Sequence, residues 1–242
     1  VIRPKDENVL VLAFDSTASS LTLGLADGDK SIGRWDATPA RHRGNALDVL
    51  IDRALADAGR RRSDVEGLAL VTGPGSLTAT RIGWATACGW ALACGIPITG
   101  WSTAEVYWRK WMRQTRDGSA FAQQITPRTI VFCVVHHRGD EFYVYQLEPA
   151  HPPDRPRTVI LGDLHPPADY SARLVGPGVL GFRDRWVASL GSDDVVVPES
   201  EALVGGDCLA LWGVEELTSG NRLSPDVSPL DYGLPPTFRK AS

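Results

Sequence analysis

Residues 68–95 set an apolar run, a turn of two glycines around a proline, and a helix one after another, and this succession constrains the chain most. Leu68-Ala69-Leu70-Val71 is continuously apolar and short, which reads as a strand buried on both faces. Ala79 to Cys94 reads as a helix, with Ser76 and Thr78 where N-cap residues belong. Strand, glycine turn and helix start in this order belong to layered α/β folds. They also present backbone N–H groups to an anion. The turn Gly73-Pro74-Gly75-Ser76 lacks the Lys-Ser/Thr ending of a P-loop and the glycine spacing of a dinucleotide fingerprint. Phosphate binding is therefore the first idea and not the preferred one.

Around this centre the pattern alternates. Val9–Phe14, Leu21–Leu25 and Ser31–Trp35 read as an antiparallel meander, turning at Asp27-Gly28-Asp29. Ala46, Leu47, Leu50, Ile51, Ala54, Leu55 and Ala58 recur at helical spacing, with Gly59 as a stop. Val65–Val71 is the next strand, Ile96–Thr99 another, and a helix runs from Ser102 to about Met112. The polar stretch 114–128 reads as a link. Ile130–Val135 and Glu141–Leu147 form a second hairpin around Arg138-Gly139-Asp140. Val159–Leu161 and Leu174–Gly176 are further strands, and Ala150–Arg157 is a proline-rich loop. Phe182–Leu190 and Ser200–Leu217 read as helices and Val195–Val197 as extended chain. The expected fold is α/β with two lobes of related design, the first over 1–104 and the second over 105–242. The C-terminal helix and tail are expected to pack back on the first lobe.

Composition excludes several function classes. A chain of 242 residues with 43% apolar residues builds a real core. A net charge of −4 does not suit an autonomous nucleic-acid binder. No apolar run approaches the roughly 20 residues that span a bilayer. Val1–Asn8 is polar and charged and reads as no secretory leader. Cys88, Cys94, Cys133 and Cys208 form no CxxC pair, and the five histidines show no HxxxH spacing. Free thiols in the cytoplasm, with no metal and no membrane, are the expectation.

The run Gly73-Pro74-Gly75-Ser76-Leu77-Thr78-Ala79-Thr80-Arg81-Ile82-Gly83 resembles the GPGSFTGLRIG signature of the TsaB (YeaZ) family. Leu77 replaces its Phe, and Ala79-Thr80 replace its Gly-Leu. Asp15-Ser16-Thr17 is similar to the D-T/S-S/T that follows the family's first strand. Arg41-His42-Arg43 resembles its R-x-H-S, and Arg138, Glu141 and Tyr143 match its second hairpin, DARRGEVY, with His136 in place of Asp. The resemblance covers residues 9–112 well and 130–147 moderately, so the chain is identified as a divergent member. It implies an actin-like (ASKHA) two-lobe architecture, each lobe ribonuclease-H-like with a mixed sheet and flanking helices. It also implies a non-catalytic subunit that binds and activates TsaD in threonylcarbamoyl transfer to the adenosine of ANN-decoding tRNAs. TsaE joins in a larger complex and tRNA is met only through the complex, while monomer and self-dimer both stay open for the free chain. ATP or ADP with magnesium enters only as part of that complex.

Two sets of residues carry the candidate chemistry. Ala79, Gly83, Ala87 and Ala91 recur every four residues on one helix face, flanked by Trp84 and Trp90. Such a face admits close approach of another helix. Packing on the chain's own sheet is the simpler reading, and the resemblance makes the face, with His42, an interface with TsaD. Asp15, Ser16, Thr17, Gly73, Gly75 and Ser76 form a possible vestigial nucleotide site. Asp15 at a strand end suits a hydrated magnesium, but Ser16-Thr17-Ala18 offers no glycine for close phosphate approach. A side-chain-capped turn is preferred. No acidic residue or glycine-rich phosphate turn is read in the second half. The alternatives are a stand-alone actin-like ATPase or kinase, using Asp15 with Asp140 or Asp231, and a paralogue with a different partner. A peptidase finds no Ser/His/Asp or zinc constellation.

Overall fold

The computed structural model describes residues 9–18, 20–38, 46–119, 123, 125–153, 155–191 and 203–233. These fall into two compact units, the first made of the described residues up to Val106 and from Val204 to Leu230, the second of those from Tyr107 to Leu203 and from Asp231 on.

The first unit is a five-stranded mixed sheet. Its strands are β1 (Leu10–Asp15), β2 (Leu21–Asp27), β3 (Lys30–Ala37), β4 (Gly67–Val71) and β5 (Ile98–Trp101), in the order β3-β2-β1-β4-β5. The meander β1-β2-β3 is antiparallel, and β4 and β5 run parallel to β1. A parallel return needs a crossover. Here α1 (Ala46–Asp57) precedes β4, and α2 (Leu77–Cys94) joins β4 to β5.

The alternation along β1 explains the layering. Leu10, Leu12 and Phe14 share a core with Leu47, Leu50, Ile51, Ala54 and Leu55 of α1 and with Trp84, Ala87, Trp90 and Ala91 of α2. The opposite face is covered by a C-terminal helix, Gly206–Thr218. It comes close because the residues that meet it are small. A Cβ on Gly24 of β2 would lie 2.1 Å from the carbonyl oxygen of Gly206. One on Gly213 would lie 2.7 Å from the Cβ of Ala69. Trp212 of this helix meets Trp101 of β5 edge-on, with centroids 6.2 Å apart.

The helix α3 (Thr103–Asp117) begins in the first unit and continues into the second. It is one turn longer than the pattern predicts: Arg113, Gln114 and Arg116 favour a helix and carry it on to Gly118, whose φ of 65° ends it. The second unit is a four-stranded sheet, β6 (Thr129–Arg138), β7 (Glu141–Leu147), β8 (Arg157–Ile160) and β9 (Ser171–Val175), ordered β8-β7-β6-β9. Again the first three strands are antiparallel neighbours, and the fourth returns parallel to the first. Two helices follow, α4 (Pro177–Leu180) and α5 (Arg183–Leu190), and the C-terminal helix Gly206–Thr218 is α6. Phe132, Val134, Phe142, Val144, Leu174 and Trp186 centre this unit's core. On the other side of the sheet, Gly233 lies against the Tyr143 ring and Tyr145 donates to Asp231 at 3.5 Å.

Two mixed sheets with flanking helices are the α/β architecture expected from the sequence. The expected helix from Ser200 begins at Gly206 among the described residues, after the extended Gly205. The extended run expected at Val195–Val197 lies outside them.

Candidate functional site

The turn after β1 and the turn after β4 are interlocked. Asp15 is buried, and its Oδ1 accepts from both the backbone N–H and the hydroxyl of Thr17, each at 2.7 Å. The Thr17 carbonyl accepts from the Ser76 N–H at 2.8 Å. A Cβ at Gly75 would stand 2.4 Å from that carbonyl oxygen, so only glycine fits there. From the other side, the Thr103 N–H donates to the Gly73 carbonyl at 2.6 Å and the Thr103 hydroxyl to the Pro74 carbonyl at 2.7 Å. Gly73 itself has a φ of 105°, a conformation open to glycine.

This arrangement holds a protein turn and offers little to a phosphate. The N–H of Ser76 is already donated to Thr17, and a carbonyl oxygen faces Gly75 where an anion would need a donor. Burial pushes the Asp15 carboxyl above its usual range, against the two Thr17 hydrogen bonds, which pull it down. Ser76 is the N-cap of α2, and its carbonyl accepts from the Thr80 N–H at 2.9 Å and the Thr80 hydroxyl at 2.8 Å. Ser16 donates to the Ala79 carbonyl at 3.0 Å, tying the first turn of α2 to the end of β1.

The same contacts correct the expected partner face. Ala79, Gly83, Trp84, Ala87, Trp90 and Ala91 are all buried, and they point at this chain's own sheet. A Cβ at Gly83 would meet the Ser16 Oγ at 2.5 Å and the Phe14 ring at 3.2 Å. The small residues let α2 settle onto β1 and its turn, and Trp84 and Trp90 complete that core. The reason is that α2 is apolar nearly all round, so helical spacing does not say which side meets the sheet. The outward side carries Leu77, Arg81, Ala85, Gly89 and Leu92. Leu77 is 50% and Leu92 68% exposed, and nothing lies within 4 Å of a Cβ built on Gly89. His42 lies outside the described residues.

The second hairpin is a surface feature. Arg138 pairs with Glu141 at 2.9 Å across the β6–β7 turn, and each holds the other in its charged form. His137 stacks on Tyr143 at 4.5 Å, while His136 packs on Phe142 and Phe182 from the other face. The alternation of a strand separates the two rings. The basic run Arg60-Arg61-Arg62 is neutralised, with Asp27, Asp64, Asp48 and Asp52 as partners.

One motif was missed in the sequence. Gly176-Pro177-Gly178 follows β9 as Gly73-Pro74-Gly75 follows β4, so the second unit has a glycine turn after its parallel return strand. A Cβ at Gly178 would lie 2.8 Å from the His136 nitrogen and the Val134 carbonyl oxygen of β6. These glycines therefore allow close packing on the central strand, as Gly75 does on Thr17. The signal was the repeat of an apolar strand end and Gly-Pro-Gly.

Among the described residues, no group of three His, Cys, Asp or Glu is placed to hold a metal ion, and no helix is long and apolar enough to cross a membrane. An open, largely apolar depression lies between the starts of α1 and α2.

Residues 37–119, from the end of β3 through α3, match the model of the TsaD family, tRNA N6-adenosine threonylcarbamoyltransferase. No curated protein matches the sequence. Two solved structures are similar over nearly the whole chain. YeaZ from Pseudomonas aeruginosa has a TM-score of 0.66 at 20% identity, covering 93% of this chain and 99% of its own. A protein from Pseudomonas aeruginosa described as uncharacterized, with similarity to peptidase YeaZ, has the same TM-score and identity, covering 93% of this chain and 100% of its own. The chain has the fold of YeaZ, and its signature at 73–83 lies inside the stretch that matches the TsaD family model.

Proposed function

We propose that this chain is a non-catalytic subunit that docks onto and activates a TsaD-like transferase, which carries the threonylcarbamoyl group to tRNA adenosine. The observation that carries the docking is the outward face of α2. Leu77 and Leu92 are exposed apolar side chains, with Arg81, Ala85 and the open Gly89 between them. Such a face keeps apolar area in water until a partner covers it, and its small central residues let a partner helix approach. The interlocked turns at Asp15–Thr17 and Gly73–Ser76 support the non-catalytic part. The chain acts without a nucleotide cofactor of its own, ATP with magnesium entering through TsaE in the larger assembly. Transfer RNA is met through the complex, in the cytoplasm, and the same helix face serves self-association when the partner is missing.

The test is light scattering behind size-exclusion chromatography on this chain mixed with the TsaD-like subunit of the same source. A stoichiometric complex, lost in Leu92→Glu while the variant stays folded by circular dichroism, is the expected result. A folded chain that forms no complex at any concentration overturns the proposal. Magnesium-dependent nucleotide binding by the isolated chain, measured calorimetrically, would instead favour an ATPase or kinase.

A further inference from the structure

We draw no further inference here: the strongest candidate, the open apolar depression between the starts of α1 and α2 lined by Leu21, Leu47 and Ile82, carries nothing because no feature of the structure shows what covers it.

Discussion

Truncating Leu92 to alanine separates docking from folding. Complete burial of a leucine side chain is worth about 1.5–3 kcal/mol. Leu92 is 68% exposed in the isolated chain, so roughly 1–2 kcal/mol of that is still available to a partner. At 1.4 kcal/mol per tenfold change, Leu92→Ala weakens binding of the TsaD-like subunit by about 5- to 30-fold. The isolated chain hardly notices, because an exposed helical position that becomes alanine shifts stability by only about 0.5 kcal/mol or less. Gly89→Ala is the companion variant. Nothing lies within 4 Å of its new Cβ, and alanine gains about 0.5–1 kcal/mol over glycine inside a helix. Urea unfolding of both variants and titration calorimetry against the partner give the two readouts. If Leu92→Ala and a bulky Gly89→Arg both bind within twofold of the parent, the outward face of α2 is not the dock and the reasoning fails.

Other perturbations test the packing. Gly83→Leu forces a side chain into Ser16 and Phe14; overpacking costs about 1–3 kcal/mol, and displacing the Ser16 hydrogen bond adds about 0.5–1.5 kcal/mol. A lower urea midpoint is expected, and an unchanged midpoint would show that α2 does not lie on β1 as described. Gly206→Ala places a Cβ 2.2 Å from the Leu23 carbonyl carbon, so α6 must move off the sheet, with a loss of about 1–3 kcal/mol; stability equal to the parent contradicts that contact. Asp15 has a folded pKa above its usual 3.8, so between those values the native chain holds a proton that the unfolded chain releases. Stability is therefore lost as pH rises through the folded value. Asp15→Asn, whose amide oxygen still accepts from Thr17, gains on the parent in urea unfolding as pH rises above 3.8, and a variant that falls behind there would show the charged carboxylate to be favourable. Cys94 is exposed, Cys88 half-buried with its thiol pushed up by burial, and Cys133 buried with its thiol pushed up further. Iodoacetamide labelling followed by mass spectrometry should modify Cys94 first and Cys133 only on unfolding, and early loss of Cys133 would contradict its burial.

Much of the fold was legible because periodicity reports burial directly. The strands at β1, β2 and β4 are apolar where both faces are covered, and α1 repeats its apolar residues at helical spacing. The glycine turn after β4 announced a strand-to-helix corner, and its divergence from phosphate motifs already turned the reading away from nucleotide chemistry. The matching turn after β9 is harder to read because β9 mixes Ser171 and Arg173 with its apolar residues, which leaves the repeated Gly-Pro-Gly as its local signal.

By itself, then, the sequence determined the elements, their order and the chemistry of the turns, since these depend on neighbours three or four residues away. The tertiary structure decided what faces what. Gly83 and Gly89 are alike to any rule of propensity, yet one is pressed against Ser16 and Phe14 and the other stands open. The return of α6 to the first sheet rests on Gly24 meeting Gly206 across 182 positions of chain, a contact that no local pattern contains. An all-round apolar helix has two faces able to bury, and only the sheet it lands on selects between them.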